Sequence, residues 1–512
     1  MNQLPWYKRW FRLPEHAWLM LFAAILFSLS YEPSPLWFLV YFFVPLFAAS
    51  VQGLGFRGGF RAGYFFGVVS AFLTLYWVSW VTAVGVVLLI LVHSFYYAFI
   101  GGLTGMATKR YGRPALLLLP FLWVAMEYIR SLSQISFPWQ NLSYTQASNL
   151  AIVQLSELSG DAVVTFFIVA LGLLLYVAYR SVRSTWRAMG WFGLVLVVYS
   201  AVYLWGATRF QRLETDFRVA ALQGDVPVAQ KWRNGSADHN FKIYEDLTNR
   251  AAADSAELVV WPETAAPMYL LYQPPYVKWI DEIARRNNVD IVTGALQMDR
   301  DSSGTRHYYN AAFYFTPQQG MDPRIYRKHY LVTFGEHMPY AESVGWIRAF
   351  RNFVKNNLAM DISDFEPGNS KFLWASHGRA FGTLICFEVI YPDYVRDMVN
   401  RGADFLNVIT NDDWFGHTAG PYQHAAIPVF RAVENRIWIV RAANTGISAV
   451  YDPFGRELQA TKLGERTFIA ANIGPRLGPT LFSKHGRVLS QFCLAVSLLA
   501  VILLVVRRGK RD

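Results

Sequence analysis

Gly382-Thr383-Leu384-Ile385-Cys386-Phe387-Glu388 reads as a buried strand that stops on a thiol, with a carboxylate two residues beyond. The chain has two cysteines, and the other, Cys493, lies in an apolar run near the C-terminus. A single cysteine at a strand end is a nucleophile candidate when acid and base partners exist elsewhere in the chain. Taken alone, the same pattern describes a thiol packed into a core.

Outward from this strand, residues 213–478 alternate short apolar runs with helical patterns. The runs at 218–223, 257–262, 290–296, 309–315, 380–386, 404–410, 437–443, 447–451 and 467–472 predict strands; 239–254, 276–288, 391–400 and 422–435 predict helices. That alternation predicts a layered α/β domain with one sizeable core. Three segments deliver reactive groups where runs end. Val259-Val260-Trp261-Pro262-Glu263 runs apolar and closes on a carboxylate. A proline after a strand stops the hydrogen-bond ladder, which predicts Glu263 at the edge of the sheet. Tyr326-Arg327-Lys328-His329, followed by Phe334-Gly335-Glu336, supplies an ammonium and a second carboxylate. Cys386 is the third. Glu, Lys and Cys together suffice for acyl transfer. The carboxylate accepts the thiol proton and returns it to a leaving group. The ammonium stabilises first the thiolate and then the oxyanion, with the N–H of Phe387 as a second donor. Each residue also has a plainer reading. Glu263 fits a surface turn, and Lys328 with Arg324 and Arg327 fits a solvated basic face. Glu336 fits a loop carboxylate that neutralises that face.

Composition places the rest of the chain in a membrane. Charged residues make up 16% and hydrophobic residues 54%, against roughly 25% charged in a soluble domain. The net charge of +11 sits beside apolar runs, which fits membrane topology better than a nucleic-acid face. Eight apolar segments stand at 17–31, 34–52, 63–82, 84–105, 114–130, 161–179, 188–206 and 488–506, and predict eight transmembrane helices. The first reads as an uncleaved anchor. Lys8, Arg9 and Arg12, then Arg57 and Arg61, then Lys109, Arg110 and Arg113, then Arg180, Arg183 and Arg187, and finally Arg507, Arg508, Lys510 and Arg511 occupy alternate connections and so share one side, while the first and third loops carry no Lys or Arg and the fifth none after Arg130. The positive-inside rule therefore predicts two cytoplasmic termini and a long segment between spans seven and eight on the opposite face. The fifth loop, about 131–160, carries Phe137-Pro138-Trp139-Gln140, which fits either an interfacial aromatic belt or the wall of a lipid-facing site. Glu127 is expected at the membrane interface. The stretch 343–370, with Trp346, Ile347, Phe350, Phe353 and Val354, reads as a long arm whose apolar side touches lipid. His417 and His424 lack the spacing and companions of a zinc site, and Asp412 and Asp413 read as residues that order a loop.

Trp-Pro-Glu, Arg-Lys-His and Ile-Cys-Phe-Glu, in that order, resemble the nitrilase superfamily, as does Asn411-Asp412-Asp413-Trp414-Phe415-Gly416. Seven spans, a nitrilase-like domain and one further span are similar to the bacterial apolipoprotein N-acyltransferase family. Gln223-Gly224-Asp225, Lys231-Trp232 and Phe137-Pro138-Trp139 support the match, while Phe387 departs from the tyrosine usual there. The resemblance implies an α-helical membrane domain of eight transmembrane helices plus an α/β nitrilase-like αββα sandwich. The divisions are 1–212, 213–478 in the periplasm, and 479–512. It implies an inner-membrane enzyme that moves an acyl chain from a phospholipid, chiefly phosphatidylethanolamine, to the amine of a diacylglyceryl apolipoprotein through a thioester. It implies action as a monomer, without nucleic acid, cofactor or metal. Carried over, it makes Glu263 the base, Lys328 the oxyanion stabiliser and Cys386 the nucleophile. Glu336 would position Lys328, and Glu388 and Trp232 would support the site and its acyl or glycerol contacts. Two other classes are weighed against it. A membrane-tethered amidase has no need of eight spans for a small soluble substrate. A transporter calls for charged residues along its spans, and these are nearly free of them.

Overall fold

The computed structural model describes residues 16–506 apart from 234, 334, 342, 346–347, 350 and 352–364. The membrane half is helical: α1 (Ala17–Ser28), α2 (Val40–Val51), α3 (Gly55–Leu75), α4 (Ala83–Tyr111), α5 (Leu119–Arg130), α6 (Ala162–Arg180) and α7 (Thr185–Ala207). Helices α3 and α4 approach until their backbones touch. A Cβ on Gly59 would lie 2.1 Å from the Gly101 carbonyl oxygen, and one on Gly63 would lie 2.2 Å from that of Tyr97. Gly59, Gly63 and Gly67 recur every fourth residue and so line one helix face, the small-residue packing that lipid-embedded helices use.

The other half holds two sheets. The first comprises β1 (Phe217–Gln223), β2 (Leu258–Val260), β3 (Ala266–Tyr269), β4 (Asp290–Arg300), β5 (Arg306–Thr316), β6 (Gly320–Met321), β7 (Tyr326–Arg327) and β14 (Thr467–Ile473). Its order is β14-β1-β2-β4-β5-β6, with β3 on β4 and β7 on β5. The second comprises β8 (Trp374–Ser376), β9 (Arg379–Ile385), β10 (Phe405–Thr410), β11 (Trp438–Ala443), β12 (Ala449–Tyr451) and β13 (Glu457–Ala460), in the order β13-β12-β11-β10-β9-β8. The period-two alternation of a strand sorts the side chains into layers. Val219, Ala221, Leu258, Val260 and Val292 pack toward Leu384, Leu406 and Val408 of the second sheet. Ala220, Leu222, Val259 and Ile291 pack toward α8 (Ala237–Ala253) and α9 (Pro274–Asn287). Helices α10 (Pro392–Asn400) and α11 (Gly420–Asn435) cover the second sheet, and α12 (Val488–Val506) returns to the membrane half beside α5.

Several expectations change. All eight predicted apolar segments hold a helix, yet among the described residues only five helices are long and apolar enough to cross a membrane: Gly55–Trp80, Gly85–Tyr111, Ala162–Arg180, Thr185–Ala207 and Val488–Val506. Ala17–Ser28 and Trp37–Val51 are shorter, and α5 has 12 residues. Eight spans therefore exceed what helix length alone supports, because apolar composition continues through turns such as Arg113–Leu118 where the α-helix does not. Glu263 is not at a sheet edge. Strand β2 is interior, paired in parallel with β1 and β4, and Pro262 ends a three-residue ladder at its C-terminal end. Glu127 is buried rather than interfacial, accepting hydrogen bonds from Leu142 N–H (2.7 Å) and Thr165 Oγ1 (2.8 Å). The fifth loop is not a simple connector. It folds into short helical turns from Pro138 to Ser159, most of them buried against α11. The residues named on the 343–370 arm lie outside the described ones.

The α3–α4 contact predicts a graded response. Gly63→Val places carbons onto the Tyr97 backbone and is expected to cost about 1–3 kcal/mol or more by overpacking. Gly190→Val on α7, with nothing within 4 Å of its added Cβ, is expected to leave the melting temperature in detergent unchanged. Thermal unfolding of the two variants side by side checks this.

Candidate active site

Strand β9 runs between β10 and β8 and ends at Ile385. Cys386 follows with φ +53°, a left-handed conformation costly for any residue with a Cβ, and opens the turn Cys386–Ile390. That bend leaves the thiol beyond the end of the sheet, 8% exposed. Glu388, inside the turn, is fully buried and explains how the bend is held. Its Oε2 accepts from Ile385 N–H and Tyr326 O–H, both at 2.7 Å. Its Oε1 accepts from His329 N–H at 2.6 Å. One carboxylate thus ties the Cys386 turn of the second sheet to the segment around Lys328 on the first. Burial raises its pKa to about 7 against the pull of these hydrogen bonds. Glu388 has no exposed surface and braces the bend from behind.

Lys328 follows β7 and is 1% exposed, not part of a solvated face. Its Nζ lies 2.9 Å from Glu336 Oε1 and 3.5 Å from Glu263 Oε1. Glu263 is held by Asn310 Nδ2, which donates to Oε1 at 2.6 Å, and by Asn411 N–H, which donates to Oε2 at 3.0 Å. Asn310 Nδ2 also donates to Glu336 Oε1 at 3.0 Å, and Val332 N–H donates to Glu336 Oε2 at 2.8 Å. Burial raises the Glu263 pKa; Lys328 opposes this and Glu336 adds to it. Burial works against the Lys328 charge, but Glu336 and Glu263 outweigh it and hold the ammonium protonated far above neutrality. The Cys386 thiol is pushed up by burial and by the Glu263 carboxylate, with Lys328 pulling the other way. The site therefore rests as a thiol beside a carboxylate and an ammonium. A base must take the proton as the sulfur attacks.

The predicted partners are thus brought together, with two exceptions. Glu388 acts from behind the site. Trp232 makes no hydrogen bond to the ion cluster among the described residues; it is half-exposed on a groove of about 500 Å³ lined also by Met268, Tyr269, Tyr272, Arg306 and Tyr308. Asn310 is not among the residues singled out from sequence, although a lone amide in the otherwise apolar run 309–315 is a usable signal. Asp412 does order a loop. It accepts from Thr410 Oγ1 (3.0 Å) and from Arg441 Nη2 (2.6 Å) and lies 2.8 Å from His424 Nδ1. Burial opposes its charge, but Arg441 and His424 hold its pKa down at about 2. His424 is buried in this cluster, its ring against Trp139 with centroids 5.2 Å apart.

The membrane half reaches the nucleophile turn directly. Phe387 stacks on Phe137 (centroids 5.9 Å, planes 23°) and on Trp139 (6.3 Å, 13°). Gln423 Oε1 accepts from the indoles of both Trp77 (3.1 Å) and Trp139 (2.9 Å). Burial removes the belt reading for Trp139, which is part of the aromatic wall behind Cys386.

Two family models match the chain: carbon-nitrogen hydrolase over residues 218–478, and apolipoprotein N-acyltransferase N-terminal domain over residues 23–174. The chain is 31% identical over 504 residues to an apolipoprotein N-acyltransferase of Geobacter metallireducens, covering 94% of each. It is 28% identical over 491 residues to one of Chlorobaculum tepidum, covering 91% of each. Among solved structures it is similar to an amidase from Nesterenkonia sp., with 19% identity, a TM-score of 0.38, and coverage of 55% of this chain and 97% of that one.

The electrostatics predict how the thiol responds to a small haloacetamide. Glu263→Gln removes the carboxylate that acts on the thiol and is expected to slow alkylation of Cys386 by roughly 100-fold. Because burial raises the Glu263 pKa, the wild-type rate should fall with acidification at a pH above the ordinary carboxylate range. Intact-mass measurement of adduct formation against pH reads both effects.

Proposed function

The chain belongs to the apolipoprotein N-acyltransferase family, and from that premise we propose how this site carries the transfer. The observation that carries the reading is the buried cluster Glu263–Lys328–Glu336 beside the strained Cys386 turn, with lysine and first carboxylate 3.5 Å apart. In the first half-reaction the Glu263 carboxylate takes the Sγ proton and sulfur attacks an ester carbonyl carbon of a phospholipid. The Lys328 ammonium, aided by the Phe387 N–H, balances the oxyanion. The carbon–oxygen bond breaks, the lysophospholipid oxygen takes the proton back from Glu263, and a Cys386 thioester remains. In the second half, the N-terminal amine of an S-diacylglyceryl-cysteine apolipoprotein attacks the thioester. Glu263 takes the amine proton, the carbon–sulfur bond breaks, and the proton returns to sulfur. An N-acyl amide leaves and the thiol is restored. Glu336 holds Lys328 in place, and Trp232 meets the acyl or glycerol part of a substrate from its groove.

The same reading places the protein in a bacterial inner membrane. Residues 1–212 form a seven-span domain, 213–478 the periplasmic catalytic domain, and 479–512 a last span and cytoplasmic tail. The three shorter helical segments, α1, Trp37–Val51 and α5, then cross beside the five long ones. Phosphatidylethanolamine is the proposed donor and the monomer the acting form. The apolar residues on the surface of the long helices, such as Leu196, Leu204 and Leu499, support a bilayer environment, which delivers both lipid-anchored substrates to one mouth.

Wild-type protein incubated with phosphatidylethanolamine vesicles should gain one acyl mass on Cys386 and release lysophospholipid. Cys386→Ala should gain none. Addition of a diacylglyceryl peptide should discharge the adduct into an N-acyl peptide; free fatty acid as the sole product would establish a hydrolase instead. A reporter fused after Arg511 should behave as cytoplasmic, and a periplasmic signal would overturn the topology.

A further inference from the structure

Lys231 is a second buried ammonium beside this site, and the reaction as written does not use it. It ends the short helix Val228–Lys231 and is 1% exposed. A lysine so deeply buried is rare unless something requires its charge. Its Nζ donates one hydrogen bond among the described residues, to Thr264 Oγ1 at 3.3 Å.

Thr264 is the residue directly after Glu263, and its φ is +49°. The left-handed region is poorly tolerated by a β-branched side chain, so the conformation persists only where its surroundings fix it. Two contacts do so. From the β4 side, the backbone of this turn lies on Gly294, where a Cβ would come within 2.7 Å of both Glu263 Cα and Thr264 N. From the other side, Lys231 holds the Thr264 hydroxyl. The helix carrying Lys231 is itself fixed, since Val228 N–H donates to Asp413 Oδ2 at 2.7 Å.

The charges point the same way. Glu263 faces Lys328, Glu336 and Lys231, and its carboxylate in turn acts on the Cys386 thiol. Lys231 faces Glu263 and Asp413. Glu263 and Glu336 outnumber Lys328 in the buried cluster, and Lys231 adds a second cation beside Glu263, which it shares with Asp413. Burial lowers its pKa to about 8 while Glu263 and Asp413 resist, so the ammonium persists at neutral pH.

We propose that Lys231 is a positioning residue for acyl transfer: it fixes the left-handed Thr264 turn that sets Glu263 in the site, and its charge keeps the Glu263 carboxylate ionised to receive a proton. The proposal rests on the reading of Glu263 as the base and Cys386 as the nucleophile.

The test follows the rate of Cys386 acylation by phosphatidylethanolamine across pH, using intact mass of the full chain in detergent. Removing a cation makes the carboxylate harder to ionise, so the acid limb of the profile moves to higher pH. Lys231→Met is expected to move that limb up by about one unit and to slow acylation at neutral pH by roughly tenfold or more. Lys231→Arg, which keeps the charge, is expected to return the limb to its wild-type position. Thr264→Val, which keeps the ammonium but loses the hydroxyl, is expected to slow acylation with the limb unmoved. A Lys231→Met profile with the wild-type limb overturns the inference even if the rate falls, because that is what lost packing alone would give. If Lys231→Met does not fold, Thr264→Val decides, and a wild-type rate there overturns the inference. Failure of the wild type to form a Cys386 adduct removes the site reading and this inference together; failure confined to the variants removes this inference alone.

Discussion

The structure turns on one ammonium, Lys328, held out of water between Glu336 at 2.9 Å and Glu263 at 3.5 Å. Taking such groups from water costs several kcal/mol for each ion, and their attraction repays this only when geometry and hydrogen bonds are good. The fold supplies both by gathering donors from separate elements. Asn310 comes from β5, Asn411 from the end of β10, and Val332 from the loop after β7. No single sheet provides this set. The two sheets must lie face to face with the carboxyl ends of β2 and β9 at a common mouth, and Glu388 fixes that relation by accepting from donors on both. The sandwich serves the charge cluster as much as it serves the apolar core.

The membrane half is joined to this mouth by specific polar contacts rather than by a flexible linker. Gln423 satisfies two indole N–H groups from two membrane-half segments with one oxygen. Asp161 N–H donates to Glu434 Oε1 at 2.9 Å, and Arg436 pairs with Glu157. These contacts cluster on α11 and the residues beside it. The same helix carries His424, which packs under Trp139 next to the Cys386 turn. Buried polar contacts of this kind are costly when only partly satisfied, so they permit one docking geometry and oppose alternatives. The aromatic wall behind the thiol is therefore set by how the membrane half seats on the catalytic half.

Most of residues 213–478 is legible in the sequence because interior parallel strands bury both faces and read as continuous apolar runs. The predicted run 404–410 and strand β10 (Phe405–Thr410) differ by one residue. Short strands escaped for the opposite reason: β7 has two residues, and its place is set by pairing with β5 rather than by its own composition. Glu263 reads as an edge residue because Pro262 shows where a ladder stops but not how many neighbours the strand has. The ion cluster itself was foreseeable from ordered motifs. The place of Lys231 and the Asp412–Arg441 pair were not, since each owes its position to residues far away in sequence. The fifth loop misled because aromatic composition cannot distinguish contact with lipid from contact with another part of the same chain.

A thiol of this kind does not by its own chemistry choose between water and an amine as the acceptor of its acyl group. The choice is made by what reaches the thioester carbon. Here Cys386, Glu263 and Lys328 are all buried, and the turn that carries the sulfur is closed on one side by Phe387, Phe137 and Trp139. Exclusion of water strengthens the electrostatic contacts that balance the oxyanion and at the same time removes the competing acceptor. An amine tethered to a lipid arrives along a bilayer surface, where water is scarce and its own concentration is high. The aromatic residues contributed by the membrane half thus wall one side of the turn that carries the sulfur. The two halves have to be read as parts of one active site.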